Sequence, residues 1–177
     1  SIHDIDFVAG FDVGENKIGK AVNDAIYELP NMVNWIDKND MPKTEGMVYE
    51  SPALDGVGIW VENKVKPIQS GKSQSELESE IKKILKETGT EIIVSYLPVG
   101  SEKATQFWAN ICLETNTAFV NCMPAFIASD KEWAQKFKEK NIPIIGDDIK
   151  GHVGATIVHR TLARLCDERG TKIEKTY

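Results

Sequence analysis

The chain has 177 residues, enough for one domain with a sizeable core, and this length argues against two domains. Its hydrophobic fraction of 41% and charged fraction of 27% are those of an ordinary globular protein, which argues against a disordered chain. A formal net charge of -6, without a clustered stripe of lysine and arginine, disfavours a nucleic-acid groove or an anionic membrane surface. A local basic site for a phosphate stays open, and the expected partners are small molecules or other subunits.

The sequence carries no feature of export or membrane insertion. It has no run of about 18 apolar residues and no basic stretch followed by an apolar one at its start, which predicts a cytoplasmic protein. The cysteines Cys112, Cys122 and Cys166 lie far apart within apolar runs and lack the spacing of a C-x-x-C motif. We interpret them as buried free thiols rather than as catalytic or metal-binding residues.

The first predicted element is a strand from Ile5 to Val13, whose apolar run ends in the acidic residue Asp12. Apolar residues spaced at three and four then predict a helix from about Lys17 to Leu29, ended by Pro30. In dinucleotide-binding folds, an acidic residue that closes the second strand accepts hydrogen bonds from the adenosine ribose. Asp12 fits that description, but it also fits an ordinary turn between a strand and a helix.

Residues 31–71 lack a regular hydrophobic period. Their prolines, scattered glycines and short apolar pieces predict a mostly extended stretch with one or two short elements. The most ordered-looking piece runs from Leu54 to Gly58 and contains Asp55, although Asp-Gly is also a plain turn dipeptide. The following residues 70–74 are typical of an exposed loop.

A helix, a strand and a second helix come next. The pattern predicts a helix from about Ser75 to Glu87, a strand from Glu91 to Leu97, and a helix from Lys103 to Thr115. In the loop after the strand, Gly100 permits close backbone approach, and Ser101 offers a hydroxyl at a helix start. These features suit a phosphate or a nicotinamide ribose, and a plain loop with a helix cap is the alternative.

The remaining chain repeats the same order of elements. Residues 118–122 form a predicted buried strand, and Asp130 caps a helix in which Trp133 and Phe137 face the core. A strand over residues 142–145 and a helix over residues 155–168 follow. The tail of residues 171–177 alternates apolar and charged residues like the start of another strand.

An acidic pair and a lysine directly follow the strand of residues 142–145. Gly146 is followed by Asp147 and Asp148, and Lys150 comes two residues later. In open α/β sheets, ligands bind outside the carboxyl ends of the strands, so these three charged residues are candidates for a functional site. Either aspartate could instead be a turn residue or a helix cap.

Strands and helices therefore alternate at least four times, with mostly short connections and β-branched strands. This order predicts a doubly wound parallel sheet, a Rossmann-like α/β domain. No G-x-G-x-x-G motif follows the first predicted strand of this chain. That strand therefore corresponds to the second strand of a complete dinucleotide-binding domain. We therefore expect that Ser1 is not the natural start and that the sheet lacks a central strand.

Several longer pieces carry a more specific resemblance. They are Phe7-Val-Ala-Gly-Phe-Asp-Val13, Leu54-Asp-Gly-Val-Gly58, Val94-Ser-Tyr-Leu-Pro-Val-Gly-Ser-Glu102, Phe119-Val-Asn-Cys-Met-Pro-Ala-Phe-Ile-Ala-Ser-Asp130, Pro143-Ile-Ile-Gly-Asp-Asp-Ile-Lys150 and Val153-Gly-Ala-Thr-Ile-Val-His-Arg160. Over essentially its whole length the chain resembles the myo-inositol-1-phosphate synthase family, in its shorter archaeal and actinobacterial branch.

The resemblance implies an NAD-dependent isomerase of inositol and phospholipid biosynthesis that converts glucose 6-phosphate to inositol phosphate. The cycle oxidises the sugar, enolises it, closes the ring by an aldol step and reduces the product, so that no net redox change results. A tetramer is implied for the complete protein, and a divalent or monovalent cation is a possible further requirement. No residue of this chain is assigned as a metal ligand.

The resemblance also assigns residues to roles. Asp148 and Lys150 would lie where cofactor and substrate meet, as catalytic residues. The implied cofactor contacts come from strand ends, loops and one helix start, with Asp12 at the adenosine ribose and the loop of residues 97–101 at the nicotinamide; they are Asp12, Asp55, Ser95, Leu97, Pro98, Gly100, Ser101, Asp147 and Thr156. Asp147 is the less certain partner of the acidic pair.

Two departures from the family pattern limit the prediction. The family usually has Ser-Gln after the lysine, whereas this chain has Gly151-His152. The chain also covers only the middle of the family, as a partial NAD-binding domain truncated at both ends, without the first glycine-rich unit and the C-terminal catalytic half. We expect residues 1–177 alone to be inactive.

A non-catalytic nucleotide-binding or subunit-interaction module is the alternative function, and another Rossmann oxidoreductase is a third possibility.

Overall fold

The computed structural model describes residues 4–30, 36–41, 43–58, 64–149 and 154–176. Its strands are β1 (Ala9–Asp12), β2 (Met47–Glu50), β3 (Ile92–Ser95), β4 (Ala118–Asn121) and β5 (Ile144–Ile145). Its α-helices are α1 (Val22–Ala25), α2 (Gln74–Glu87), α3 (Glu102–Thr115), α4 (Lys131–Glu139) and α5 (Ala155–Glu168), and a 3-10 turn covers Lys38–Asp40. From β2 onwards the described strands and α-helices alternate, as the sequence predicts.

The helix predicted from Lys17 to Leu29 is mostly wrong, because only Val22–Ala25 is α-helical. The preceding residues are held by β2 instead: the N–H of Gly19 donates to the carbonyl of Val48 at 2.8 Å, and the N–H of Val48 donates to the carbonyl of Lys20 at 2.8 Å. Gly19 has a φ of 83°, which an α-helix does not contain. Long-range backbone bonds therefore override the helical spacing of the apolar residues.

α2 and α4 begin at side-chain caps, whereas the N-cap residues of α3 and α5 make no side-chain cap hydrogen bond. At α2, the Ser73 side chain accepts from the N–H of Glu76, and the Glu76 carboxylate accepts from the N–H of Ser73, which forms a capping box. At α4, the Asp130 carboxylate accepts from the N–H groups of Glu132 and Trp133.

The predicted strand start in the tail is not found over residues 171–176, which form no regular element.

The described strands form two parallel sheets. β1 pairs with β2, with Asp12 opposite Glu50, and the second sheet has the order β3–β4–β5, with Ser95 opposite Asn121. No hydrogen-bonded pairing joins β1 to β3 among the described residues. The α/β class with parallel strands is confirmed, and the sheet is divided between β1 and β3.

One hydrophobic core covers a single face of the β3–β4–β5 sheet. α2, α3 and α4, together with β4 and the loop after it, contribute its buried side chains, which include Ile81, Leu85, Phe107, Trp108, Ile111, Phe119, Ile127 and Phe137. Trp133 packs against this core from its edge, which confirms the predicted inward face of α4. The first sheet reaches the same core through Phe11, whose ring centroid lies 4.9 Å from that of Trp108 on α3. α3 therefore packs against both sheets.

The opposite face of the β3–β4–β5 sheet is open and apolar. Ile92 is 56% exposed, Val94 is 48% exposed, and Ile145 is 67% exposed. They alternate along the strands with Ile93 and Ile144, which pack against the core. Parallel sheets are normally covered on both faces, so this open face is unusual for a finished domain.

α5 also presents an open apolar stripe. Within the described chain, none of its residues is buried, and Val158, Leu162 and Leu165 are exposed at positions i, i+4 and i+7. This spacing places the three side chains on one face of the helix. The apolar period that predicted α5 is therefore not explained by packing within the described residues.

The cysteines are free thiols, as predicted. Cys112 and Cys122 are buried, whereas Cys166 on the open helix α5 is only half-buried. Burial raises the pKa of the Cys112 thiol to about 12, so this thiol stays protonated at neutral pH. In the part of the chain that the structure describes, no helix has the length and apolar character needed to cross a bilayer.

Candidate cofactor-binding site

The carboxyl ends of the strands carry most of the polar residues that the sequence singled out. Asp12 ends β1, Ser95 ends β3, and Asp147 and Asp148 follow β5 after one glycine. Because neighbouring strands within each sheet run parallel, their carboxyl ends lie at one edge of that sheet. Asn121 at the end of β4 adds a buried polar side chain that sequence reasoning missed.

Asp12 is held by one donor on each carboxylate oxygen. The N–H of Gly14 donates to Oδ1 at 2.8 Å, and the Lys17 ammonium lies 3.3 Å from Oδ2. A Cβ at Gly14 would lie 3.2 Å from Asp12 Oδ1, so the close turn favours glycine there. Each carboxylate oxygen keeps a second acceptor position, which a ribose diol could use. The contact of Asp12 with adenosine ribose stays a prediction.

Asp55 caps α3 from a distant part of the chain. Its carboxylate accepts from the N–H of Lys103 at 2.7 Å and from the N–H of Ala104 at 2.9 Å. Gly56, with φ 80°, lies directly against Ser101, because a Cβ there would be 1.8 Å from the Ser101 hydroxyl oxygen. The first-turn N–H groups that a phosphate would use are thus occupied by Asp55, which disfavours a phosphate at this helix start. A cofactor contact of Asp55 stays a prediction.

Two hydroxyls flank the loop between β3 and α3. Ser95 and Ser101 are buried, and in the described part of the chain neither side-chain oxygen has a hydrogen-bond partner. A buried hydroxyl without a partner costs free energy, so such a group is expected to meet a ligand or a water. Between them, Leu97 packs partly against the core, and Pro98 and Gly100 are exposed. The loop therefore combines a fixed end with open residues at its tip.

Asp147 accepts four hydrogen bonds. The N–H groups of Ile127, Ala128 and Ser129 donate to it at 3.0, 3.0 and 2.9 Å. The Asn121 amide donates to it at 2.8 Å and also donates to the carbonyl of Ala125 at 2.7 Å. Burial raises the pKa of Asp147, but these hydrogen bonds outweigh it and place the pKa below its ordinary value. Asp147 thus fixes the loop after β4, and its predicted cofactor contact stays untested.

Asp148 is exposed and has φ 70°, in the left-handed region. Its N–H donates to the carbonyl of Met123 at 2.9 Å, which ties it to the same loop that Asp147 holds. Its carboxylate makes no hydrogen bond or ion pair to any residue that the structure describes. Thr156 is exposed in the first turn of α5. Lys150, Gly151 and His152 lie outside the described residues, so the predicted partnership of Asp148 and Lys150 stays a prediction.

The predicted residues fall into three groups. Asp12 lies on the first sheet, Asp55 adjoins Ser101 near the end of β3, and Asp147 and Asp148 adjoin the end of β4. An acidic strand end and two buried hydroxyls that bond to no described residue offer hydrogen-bonding groups to a polar ligand. Across the described ranges, no three side chains of metal-ligating type converge on one point, and the cation requirement stays a prediction.

No protein-family model matches the chain. It is 42% identical over 177 residues to the inositol-3-phosphate synthase of Mycolicibacterium smegmatis, and this match covers 99% of the chain and 46% of that relative. Proteins of the same name from Mycobacterium tuberculosis and Corynebacterium glutamicum are also 42% identical, over 176 and 180 residues. The family resemblance predicted from the motifs is confirmed. The chain spans about half the length of the curated relatives it matches.

Two solved structures share the fold. The crystal structure of Ari2 matches with a TM-score of 0.76 and 30% identity, covering 96% of this chain and 46% of Ari2. A myo-inositol-1-phosphate synthase-related protein from Thermotoga maritima matches with a TM-score of 0.68 and 21% identity, covering 96% of this chain and 49% of that protein. At 21% identity the second match supports the fold alone, and the Rossmann-like class is confirmed.

Proposed function

We propose that these residues are the central part of the NAD-binding domain of an inositol-phosphate synthase, the isomerase that converts glucose 6-phosphate to inositol phosphate. The observation that carries the proposal is the pair of buried hydroxyls, Ser95 and Ser101, which have no partner within the described chain. Ser95 ends the parallel strand β3 and Ser101 precedes the helix that follows it, at the sheet edge where ligands of this fold class bind. The 42% identity to proteins named inositol-3-phosphate synthase supports the same assignment.

The division of the sheet supports the assignment to part of a domain. A doubly wound dinucleotide-binding sheet has the strand order 3-2-1-4-5-6. If β1 is the second strand of that order, the described strands should form one pair and one group of three, with a gap where the first strand belongs. The observed order, β2–β1 and β3–β4–β5, has this form. A further parallel strand between β1 and β3 would join the two sheets.

The open apolar face of Ile92, Val94 and Ile145 supports the same conclusion. Connections between parallel strands are right-handed, so strands added in opposite directions place their helices on opposite faces of the sheet. α2, α3 and α4 cover one face. A helix that follows the additional strand and leads back to β1 would lie on the other face, over that strand and its neighbours. The part of the open face on β3 would then be buried in the complete protein.

The chain's own residues have separable tasks in this proposal. Asp12 holds the adenosine ribose, and Ser95 and Ser101 hold the polar groups of the nicotinamide half. Bound NAD would supply reversible hydride transfer, with no net redox change over the cycle. Asp148, whose exposed carboxylate pairs with no described residue, moves a proton during enolisation, and Lys150 supplies positive charge beside the developing enolate.

Asp147 is a positioning residue in this scheme rather than an acid or base. Its carboxylate accepts four hydrogen bonds from the end of β4 and the loop after it, and its lowered pKa keeps it ionised. The N–H of Asp148 donates to the carbonyl of Met123 in the same loop. Asp147 therefore fixes where the Asp148 carboxylate points, and the two aspartates have different roles.

Product analysis of the complete protein tests the proposal. Incubation with NAD⁺ and glucose 6-phosphate is expected to yield inositol phosphate without accumulation of NADH. Asp148→Asn should lower kcat about a hundredfold, since a positioned proton donor or acceptor contributes that much, while NAD⁺ affinity changes little. Accumulating NADH would contradict the isomerase and indicate another oxidoreductase. Residues 1–177 alone should form no product, and appreciable inositol phosphate from them would refute the proposed incompleteness.

A subunit-interaction module is the second candidate, because α5 carries an exposed apolar stripe of Val158, Leu162 and Leu165. This module would use the fold without cofactor chemistry. Asp12→Ala distinguishes the two functions. It should weaken NAD⁺ binding in the enzyme, whereas assembly through α5 should not respond to it. If the chain is instead such a module, Leu162→Glu should abolish its assembly. The module would bind no NAD⁺ whose affinity could change.

A further inference from the structure

Lys17 lies on the turn after β1, where sequence spacing predicts the start of a helix and no functional role. Its ammonium is 3.3 Å from Asp12 Oδ2, and the two side chains are 27% and 30% exposed. The pair is thus partly shielded from solvent, unlike the more exposed Lys83–Glu87 pair of α2. Shielding makes an ion pair stronger and better oriented than a fully solvated one.

The turn that carries Lys17 is fixed before any ligand arrives. The N–H of Gly19 and the carbonyl of Lys20 bond to Val48 of β2, each at 2.8 Å. On the other side, the N–H of Glu15 donates to the carbonyl of Lys66 at 2.9 Å. Because both ends of the turn are hydrogen-bonded, the backbone position of Lys17 is fixed.

Lys17 and the Gly14 N–H each occupy a different oxygen of Asp12. A carboxylate has about four acceptor positions, so one on each oxygen is left for the two hydroxyls of a ribose. The two anchors also limit rotation of the carboxylate. The remaining acceptor positions therefore point in a fixed direction.

We infer that Lys17 is a positioning residue that orients Asp12 for the adenosine ribose and sets how far the site tolerates a phosphate on the ribose 2′ oxygen. This inference rests on the proposed NAD-binding function. Asp12 alone would repel a 2′-phosphate, as acidic residues at this position do in NAD-specific domains. Glu50 lies opposite Asp12 in the strand register and adds negative charge, although it also accepts a hydrogen bond from Ser70. The Lys17 ammonium offsets part of this repulsion.

Replacement of Lys17 should therefore change two affinities unequally. Lys17→Met is expected to weaken NAD⁺ binding about threefold, because Asp12 loses one of its anchors. It should weaken NADP⁺ binding by about tenfold or more, because the 2′-phosphate then meets Asp12 and Glu50 without an opposing charge. A purely structural role for Lys17 would lower both affinities by the same factor.

The test is a measurement of the Kd values of NAD⁺ and NADP⁺ for the complete protein and its variants. Lys17→Arg should restore most of the wild-type ratio, and Asp12→Asn should shift the ratio toward NADP⁺, opposite to Lys17→Met. Lys20→Met is the matched control, because Lys20 pairs with Glu28 instead of Asp12. An unchanged ratio in Lys17→Met overturns this inference alone. Absence of NAD⁺ binding by the wild-type protein overturns the proposed function and this inference together.

Discussion

The side-chain amide of Asn121 donates to the carboxylate of Asp147 at 2.8 Å, although 26 residues separate the two in sequence. This contact joins the end of β4 to the segment after β5 at the edge where ligands of this fold bind. The close packing favours glycine at position 146, since a Cβ there would lie 3.1 Å from both the Cβ and the carbonyl oxygen of Asn121. The geometry of this edge is thus set by residues that need not touch a ligand.

Asp147→Asn should destabilise the protein by about 2–3 kcal/mol, because each carboxylate oxygen accepts two hydrogen bonds and the amide nitrogen that replaces one oxygen would face two N–H donors. Asp148→Asn is the matched control and should change the free energy of unfolding by less than about 0.5 kcal/mol, since its side chain is exposed. Urea unfolding monitored by circular dichroism measures both. Equal effects of the two substitutions would contradict the different roles assigned to the two aspartates.

The stabilisation by Asp147 should depend on pH with a defined sign. Its pKa in the folded protein is below the ordinary value, so the unfolded state takes up the proton first as the pH falls. The stabilisation is complete above the ordinary aspartate pKa of about 3.9 and is lost as the pH falls through the lower folded value. The difference in unfolding free energy between wild type and Asp147→Asn should therefore stay constant down to about pH 5 and shrink below about pH 4. A difference that grows on acidification would show that the sign is wrong.

Gly56→Ala should be far more costly than Gly58→Ala. At Gly56 an alanine would need φ 80° and would place its Cβ 1.8 Å from the Ser101 hydroxyl oxygen, whereas at Gly58 no described atom lies within 4 Å. We expect Gly56→Ala to lower the free energy of unfolding by about 2–4 kcal/mol and Gly58→Ala by less than about 1 kcal/mol. Thermal unfolding of the two variants measures the contrast. Similar melting temperatures would show that the loop of residues 54–58 does not pack on α3.

Removal of the buried hydroxyls should separate stability from ligand binding. Because Ser95 and Ser101 have no partners within the described chain, Ser95→Ala and Ser101→Ala should leave the unliganded protein unchanged or stabilise it by about 0.5 kcal/mol. The same substitutions should weaken NAD⁺ binding about five- to tenfold, by loss of a hydrogen bond. Ser79→Ala on α2 should affect neither property. Unchanged NAD⁺ affinity in both variants would remove the main support for the cofactor site.

The open sheet face makes a prediction about assembly into a larger domain. Val94→Lys should have little effect on the stability of residues 1–177, because Val94 is exposed, while Ile93→Lys should unfold them, because Ile93 packs against the core. In the complete protein, Val94→Lys should instead be strongly destabilising. Circular dichroism and size-exclusion chromatography of both forms check this contrast. A complete protein that tolerates Val94→Lys would show that the face stays open.

Much of the parallel α/β class follows from the sequence, because capping residues and periodic apolar positions act locally. Ser73 with Glu76 and Asp130 fix the starts of α2 and α4 through contacts within three residues. The prediction of a helix from Lys17 failed for the opposite reason: backbone bonds to Val48 of β2, which sequence spacing does not reveal, hold that turn. Local signals predict well only where local bonds decide the conformation.

The strand-end positions of Asp12 and the Asp147–Asp148 pair could be predicted from the sequence, whereas Ser95 was named only through the family resemblance. Their roles in a site stay predictions. The sequence could not show that Asp147 is held by four hydrogen bonds while Asp148 is exposed, because that difference depends on the loop after β4. The cap that Asp55 forms on α3 is a contact across 48 residues and was equally inaccessible. Asn121 carried one usable signal, a polar residue at the end of an apolar strand.

The packing of Phe11 on Trp108 has a consequence for the motions of the protein. In the described chain the two sheets share no backbone hydrogen bonds, so their opening is coupled through side chains on α3 and the Asp55 cap. Amide hydrogens of β1 and β2 should then exchange with solvent through a partial opening that leaves β3, β4 and β5 protected. A ligand that contacts both Asp12 and Ser95 would make the amide hydrogens of the two sheets exchange through one common opening. Hydrogen exchange would thus detect the ligand by the increased protection of β1 and β2.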